Sequence, residues 1–122
     1  SGTGTGANTK GIEISGAGSA GILATDKSEV INSGRIEGNT GADLVGISVD
    51  KDSTASNSGT ITMKTTSNTG ISSTGGAVTN TGSITLEKAN STGISSVNGN
   101  VTNSSGATIT AQEGSWKISC YL

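Results

Sequence analysis

The chain has 122 residues, 30% of them hydrophobic, with 20 Gly, no Pro, no Phe, no His and a formal net charge of −2. So small an apolar share describes a flexible chain rather than an ordinary globular core. A nearly neutral charge with Arg35 as the single arginine offers no basic field for nucleic acid or an anionic membrane, and the lack of His removes the commonest metal ligand and general base.

The first residues, Ser1 to Gly6, carry neither a basic start nor an apolar run, so no signal peptide is read in them. The chain is expected to be a piece of a longer one that begins partway through a repeat. From Asn8 a short phrase runs Asn8-Thr-Lys-Gly-Ile12, with Ile14 two residues on, the alternation of a strand with one buried face. Gly21-Ile22 follows, and then Val30, two residues ahead of Asn32. The same order returns as Asn32-Ser-Gly-Arg-Ile36 with Gly38, Gly46-Ile47 and Ala55, and again as Asn57-Ser-Gly-Thr-Ile61 with Met63, Gly70-Ile71 and Val78. Asn80-Thr-Gly-Ser-Ile84 with Leu86, Gly93-Ile94 and Val101 make a fourth round, and Asn103 through Ile109 with Ala111 open a fifth. The asparagines lie 24, 25, 23 and 23 residues apart.

A fixed period in the low twenties without helical patterning means a solenoid in which each repeat is one coil. Three strand-like segments per period predict an all-β, right-handed parallel β-helix of four to five coils. Ile12, Ile36, Ile61, Ile84 and Ile109 are expected to form one internal column. Such a thin column needs only a few inward side chains per coil, which reconciles the fold with the composition. Residues 1–113 read as the β-helix segment. Residues 114–122 alternate Trp116, Ile118, Cys120 and Leu122 with Lys117, Ser119 and Tyr121, and read either as a terminal strand or cap or as a tail left by a cloning junction.

Asn32, Asn57, Asn80 and Asn103 fit two structural roles. Buried at a bend, their amides would bond to one another and to unpaired backbone groups as a ladder; exposed, they would be turn formers ahead of glycine. The segments that vary between coils hold Asp43, Lys64, Glu87 and Lys88, and a second variable stretch holds Asp50 and Asp52. Varying loops on a constant coil are where binding specificity usually sits, although drift on a solvated edge looks the same.

Catalysis is not expected. The acids are scattered instead of gathered with Arg or Lys on one face, and a nucleophilic triad lacks its histidine. Asp50 and Asp52 flank Lys51 in one coil alone, and Gly38 to Leu44 departs from the calcium-binding nonapeptide of β-rolls, so no metal or other cofactor is expected. Cys120, the single cysteine, excludes an intrachain disulfide, and no apolar run is long enough to span a bilayer. Thr60 and Thr62, Ser83 and Thr85, and Thr108 and Thr110 would form outward hydroxyl columns of the kind that match ice, interrupted by Arg35 and Glu37. A solvated β face accounts for the same residues.

The pattern Gly70-Ile71 through Val78-Thr-Asn80-Thr-Gly-Ser-Ile84 resembles the passenger repeats of large bacterial autotransporter adhesins, particularly those of fusobacteria and their relatives. The likeness covers residues 8 to 112. It implies export, display on the bacterial cell surface through a barrel that this chain does not contain, and adhesion to a surface protein or glycan. Because the motif is scaffold, it implies no binding residue. Three functions compete: an autotransporter stalk or adhesion module, a self-assembling fibre or phage spike segment, and an ice- or glycan-binding β-helix. Unpaired strand edges at either end of such a segment would also favour end-to-end self-association.

Overall fold

A computed structural model describes residues 4–121. They form fifteen strands in chain order: β1 (Thr5–Asn8), β2 (Gly11–Ser15), β3 (Ala20–Ala24), β4 (Glu29–Asn32), β5 (Arg35–Thr40), β6 (Val45–Val49), β7 (Thr54–Asn57), β8 (Thr60–Met63), β9 (Thr69–Thr74), β10 (Val78–Asn80), β11 (Ser83–Leu86), β12 (Thr92–Val97), β13 (Val101–Asn103), β14 (Thr108–Ala111) and β15 (Trp116–Tyr121). Every third strand belongs to the same sheet. The orders are β1-β4-β7-β10-β13, β2-β5-β8-β11-β14 and β3-β6-β9-β12-β15, each wholly parallel. The molecule is thus a parallel β-solenoid of five coils with three strands per coil, the architecture its repeat predicts.

Register follows the repeat. Ile12, Ile36, Ile61, Ile84 and Ile109 pair in succession through the second sheet. Four of them are buried, and Ile12, in the first coil, is half-buried against the core. Ile47, Ile71 and Ile94 from the third sheet and Val30, Ala55 and Val78 from the first close the interior. Trp116–Tyr121 continues the third sheet, with Ile118 opposite Ile94.

At the first corner the asparagines stack. Asn8 Nδ2 donates to Asn32 Oδ1 at 2.8 Å, Asn32 to Asn57 at 2.7 Å, Asn57 to Asn80 at 2.8 Å and Asn80 to Asn103 at 2.8 Å. Asn32, Asn57 and Asn80 are buried, Asn8 is half-buried and Asn103 is exposed. The amides also serve the bend, since Asn57 Nδ2 lies 3.3 Å from the Ser83 carbonyl, while the Asn57 carbonyl accepts from Thr81 and Gly82 N–H. The glycine that follows is required by proximity: a Cβ on Gly59 would fall on the Gly34 carbonyl oxygen, and one on Gly82 would fall on that of Gly59.

The second corner has its own column, two residues before each Gly-Ile. Leu44 N–H donates to Asn68 Oδ1, Asn68 N–H to Ser91 Oγ and Ser91 N–H to Ser115 Oγ, at 3.0 to 3.1 Å. Leu44, Asn68 and Ser91 are buried, so the variable segments are anchored loops and not free ones. Each anchor follows a residue of positive φ: Asp43 (62°), Ser67 (59°), Asn90 (62°) and Gly114 (85°). The third corner is one residue longer in the first two coils. There two consecutive residues take positive φ, Asp26 with Lys27 and Lys51 with Asp52, where the later coils use Gly75 or Asn98 alone. Ser53 N–H bonds the Asp50 carbonyl at 3.1 Å across this turn, a type I′ geometry. Ser73 and Ser96 face inward at this corner and donate to the carbonyls of Gly76 and Gly99 at 2.9 and 3.2 Å.

Two substitutions probe the stacking. Asn80→Leu removes the shortest bond of the Asn57 amide and the donor to Asn103 Oδ1, and is expected to lower unfolding free energy by about 1 to 3 kcal/mol, whereas Thr85→Val on the outer face should change it by less than about 0.5 kcal/mol; equal urea midpoints for the two variants would contradict a stabilising ladder. Gly70→Ala brings a Cβ to 2.6 Å from the Gly93 carbonyl oxygen and 2.9 Å from Ile84 Cγ2. It should cost about 1 to 3 kcal/mol in the same titration.

Candidate functional site

With the inward residues committed to the fold, each coil presents its three outer faces and the exposed side chains of its turns to solvent. The six variable charged residues do not converge. Asp43, Lys64, Glu87 and Lys88 lie along the corner between the second and third sheets, in the turns β5–β6, β8–β9 and β11–β12. Asp50 and Asp52 lie at the other end of the third sheet, in the turn β6–β7.

Asp43, Asp52, Glu87 and Lys88 are exposed. Asp43 and Asp52 serve their turns through positive φ, and the Asp52 carboxylate lies over the next coil, 2.5 Å from where a Cβ on Gly75 would stand. Asp50 is half-buried, and its Oδ1 is a buried side-chain oxygen with no hydrogen-bond partner among the described residues. No cluster of three or more His, Cys, Asp or Glu suited to a metal ion occurs among the described residues.

The outer face of the second sheet divides into two halves. In the early coils Glu13 and Glu37 are direct cross-strand neighbours, an arrangement that repels. Arg35 Nη1 at 2.7 Å and Lys64 Nζ at 3.8 Å relieve Glu37, while Asn39 Nδ2 donates to Glu13 at 3.2 Å. Lys64 is therefore engaged in balancing a neighbouring coil. In the later coils the same columns become Thr60, Ser83 and Thr108 beside Thr62, Thr85 and Thr110.

The third sheet presents a different surface. Its outward columns are Ala20, Val45, Thr69, Thr92 and Trp116, beside Leu23, Ser48, Ser72, Ser95 and Ser119. None of these side chains is charged. Leu23, 72% exposed, stands at one end and Trp116, 69% exposed, at the other, the two most exposed large apolar side chains among the described residues. A groove beside Trp116 is lined by Asn90, Thr92, Ser95, Gly114, Ile118 and Ser119. Sequence reasoning directed to charged loops passes over this face. The available signal is the residue directly after each Gly-Ile isoleucine: Leu23, Ser48, Ser72 and Ser95.

Glu37 is the best single probe of the charged half, as its side chain is 22% exposed and its carboxylate holds two cations. Glu37→Gln is expected to cost no more than about 1 kcal/mol, with the difference shrinking as salt rises. Urea unfolding at low and high ionic strength measures both; a larger loss that is indifferent to salt would assign Glu37 a packing role.

Residues 1–114 match the family described as the BigA third pectate lyase-like domain. No curated protein and no solved structure gives a match.

Proposed function

Because the chain belongs to the family of the BigA third pectate lyase-like domain, and BigA is a bacterial surface protein, we propose that it is a passive segment of a cell-surface adhesin, a stalk or display scaffold that holds adhesive parts away from the envelope. The β-helix form and the bacterial surface setting come with the family. The stalk role, export as an autotransporter passenger and adhesion to a surface protein or glycan are the reading offered here.

The observation that carries it is how completely each coil spends its polar groups on its neighbours. Both the asparagine corner and the Leu44, Asn68 and Ser91 corner bond along the axis to the next coil. That arrangement builds length from interchangeable units and leaves outward residues free to vary. The dispersal of Asp43, Lys64, Glu87 and Lys88 from Asp50 and Asp52 supports a scaffold in preference to a catalyst, since acid and base work needs its groups within hydrogen-bond reach of one substrate.

Two measurements test the proposal. Duplicating one coil, residues 71–93, within the full surface protein should leave adhesion of displaying cells within about twofold, and so should alanine at Glu87 and Lys88. Loss of adhesion on replacing those side chains would make this segment the binding module itself. Incubation of the purified domain with polygalacturonate should release no unsaturated uronides; steady turnover would overturn the non-catalytic reading despite the missing histidine.

A further inference from the structure

The stacking that protects most asparagines of this chain leaves one of them open to attack by its own backbone. The Cγ of an asparagine lies within ring-closing reach of the backbone nitrogen of the next residue, and such an intramolecular reaction needs no partner beyond water. It requires that the nitrogen be free, that the amide be unrestrained and that the following residue carry little bulk. Along the first corner these conditions fail. Ser33, Ser58, Thr81 and Ser104, which follow Asn32, Asn57, Asn80 and Asn103, each donate N–H at 2.8 to 2.9 Å to the carbonyl of the asparagine one coil earlier. The amides of Asn32, Asn57 and Asn80 are moreover buried and bonded on both sides. At the second corner Thr69 N–H, after Asn68, bonds the Leu44 carbonyl at 2.8 Å, and Ser91 N–H, after Asn90, bonds Ser115 Oγ at 3.0 Å.

Asn98, in the turn β12–β13, differs in every respect. It is exposed, and neither its side chain nor the Gly99 N–H has a hydrogen-bond partner among the described residues. Its φ is 57°, a left-handed conformation that asparagine tolerates better than most residues. Gly99 is imposed by packing, because a Cβ there would fall on the Gly76 carbonyl oxygen. The stack thus demands, after Asn98, the one residue that leaves its nitrogen most accessible. The free N–H belongs to the turn itself. Gly76 holds the same place in the turn β9–β10, with the turn β12–β13 stacked on it, and its N–H also has no partner among the described residues. The bonds between these two turns go instead from Gly75 N–H to the Val97 carbonyl at 2.7 Å and from Val78 N–H to the Asn100 carbonyl at 2.9 Å.

We infer that Asn98-Gly99 is a self-modification site, at which the folded chain converts asparagine to aspartate and isoaspartate without an enzyme. The Gly99 nitrogen gives its proton to solvent and bonds to Asn98 Cγ. The Cγ–Nδ2 bond breaks, and Nδ2 takes a proton from water and leaves as ammonia. One water then opens the succinimide ring, and no electrons are exchanged. Cleavage between Cγ and the Gly99 nitrogen gives aspartate, whereas cleavage at the main-chain carbonyl of residue 98 gives isoaspartate, with the chain running on through Cγ. Either product adds one negative charge, taking the formal net charge from −2 to −3. Isoaspartate also lengthens the backbone in a turn where Gly99 must lie over Gly76, and so works against the Val78 to Asn100 bond beside it.

The test follows the 122-residue chain through prolonged incubation in mildly alkaline buffer, folded and in concentrated urea. Tandem mass spectrometry locates each converted asparagine, an isoaspartate-specific methyltransferase assay counts that product, and released ammonia is titrated. Comparing each site with itself in urea cancels the effect of the residue that follows it. Folding should slow conversion at Asn98 by less than about tenfold, and at Asn57 and Asn80 by at least about a hundredfold, since those amides react only when the stack opens. Asn98→Gly, which reproduces the Gly75-Gly76 pair of the preceding turn, should fold alike and lose the ammonia that Asn98 releases. Should that variant fail to fold, the mapping of the unsubstituted chain decides alone. Slowing of Asn98 by more than about tenfold on folding, equal protection of Asn98 and Asn80, or undiminished ammonia release from a folded Asn98→Gly variant overturns the inference.

Discussion

One distance governs this molecule, the spacing of about 4.8 Å between parallel strands. Every coil must lie that close to its neighbours along its whole length, through the corners as well as the strands. In the strands the ladder satisfies the backbone without help. At the corners the chain turns and backbone groups lose their regular partners, yet the next coil is no farther away. Two residue types resolve the conflict. Asparagine supplies a donor and an acceptor that reach up and down the stack, and glycine removes the Cβ that would otherwise collide with a carbonyl, as at Gly59 and Gly82. With its corners settled in this way the fold holds on very little apolar material, roughly one isoleucine or valine per strand.

Much of this was legible in the residues. The asparagine spacing and the isoleucine columns disclose the period, the number of strands per coil and the register, because these positions tolerate almost no alternative. The second corner was hidden for the opposite reason. Its anchor is Leu44 in one coil, Asn68 in the next and Ser91 after that, since a backbone N–H can bond to an amide or hydroxyl oxygen and an apolar residue can fill the same space. The positive-φ positions are equally mute, being filled by Asp43, Ser67, Asn90 and Gly114, residues whose shared property is tolerance of a left-handed turn. Asp43 and Asp52 stand among the candidate binding residues because their loops vary between coils, and their positive φ gives each a conformational duty in its turn as well.

The outer faces follow no such rule, and for that reason function is harder to read than fold. Glu37 is explained by Arg35 and Lys64, and the threonines beyond it by their fit to a pleated, solvated surface. The uncharged face from Leu23 to Trp116 has no internal explanation of that kind. Nothing in the stacking requires serine at positions 48, 72 and 95, which follow one another down the outer face of the third sheet.

The axial direction of the hydrogen bonds has a mechanical meaning. Tension applied from end to end pulls along the bonds that join coil to coil, and each interface carries the full load in series. Resistance is then set by the weakest interface and not by the sum of all of them. Within one interface the three sheets share that load unequally: between the fourth and fifth coils β10 and β13 share three paired residues where β12 and β15 share five. A solenoid of this kind is only as strong under traction as its poorest coil contact, so adding coils lengthens it without toughening it.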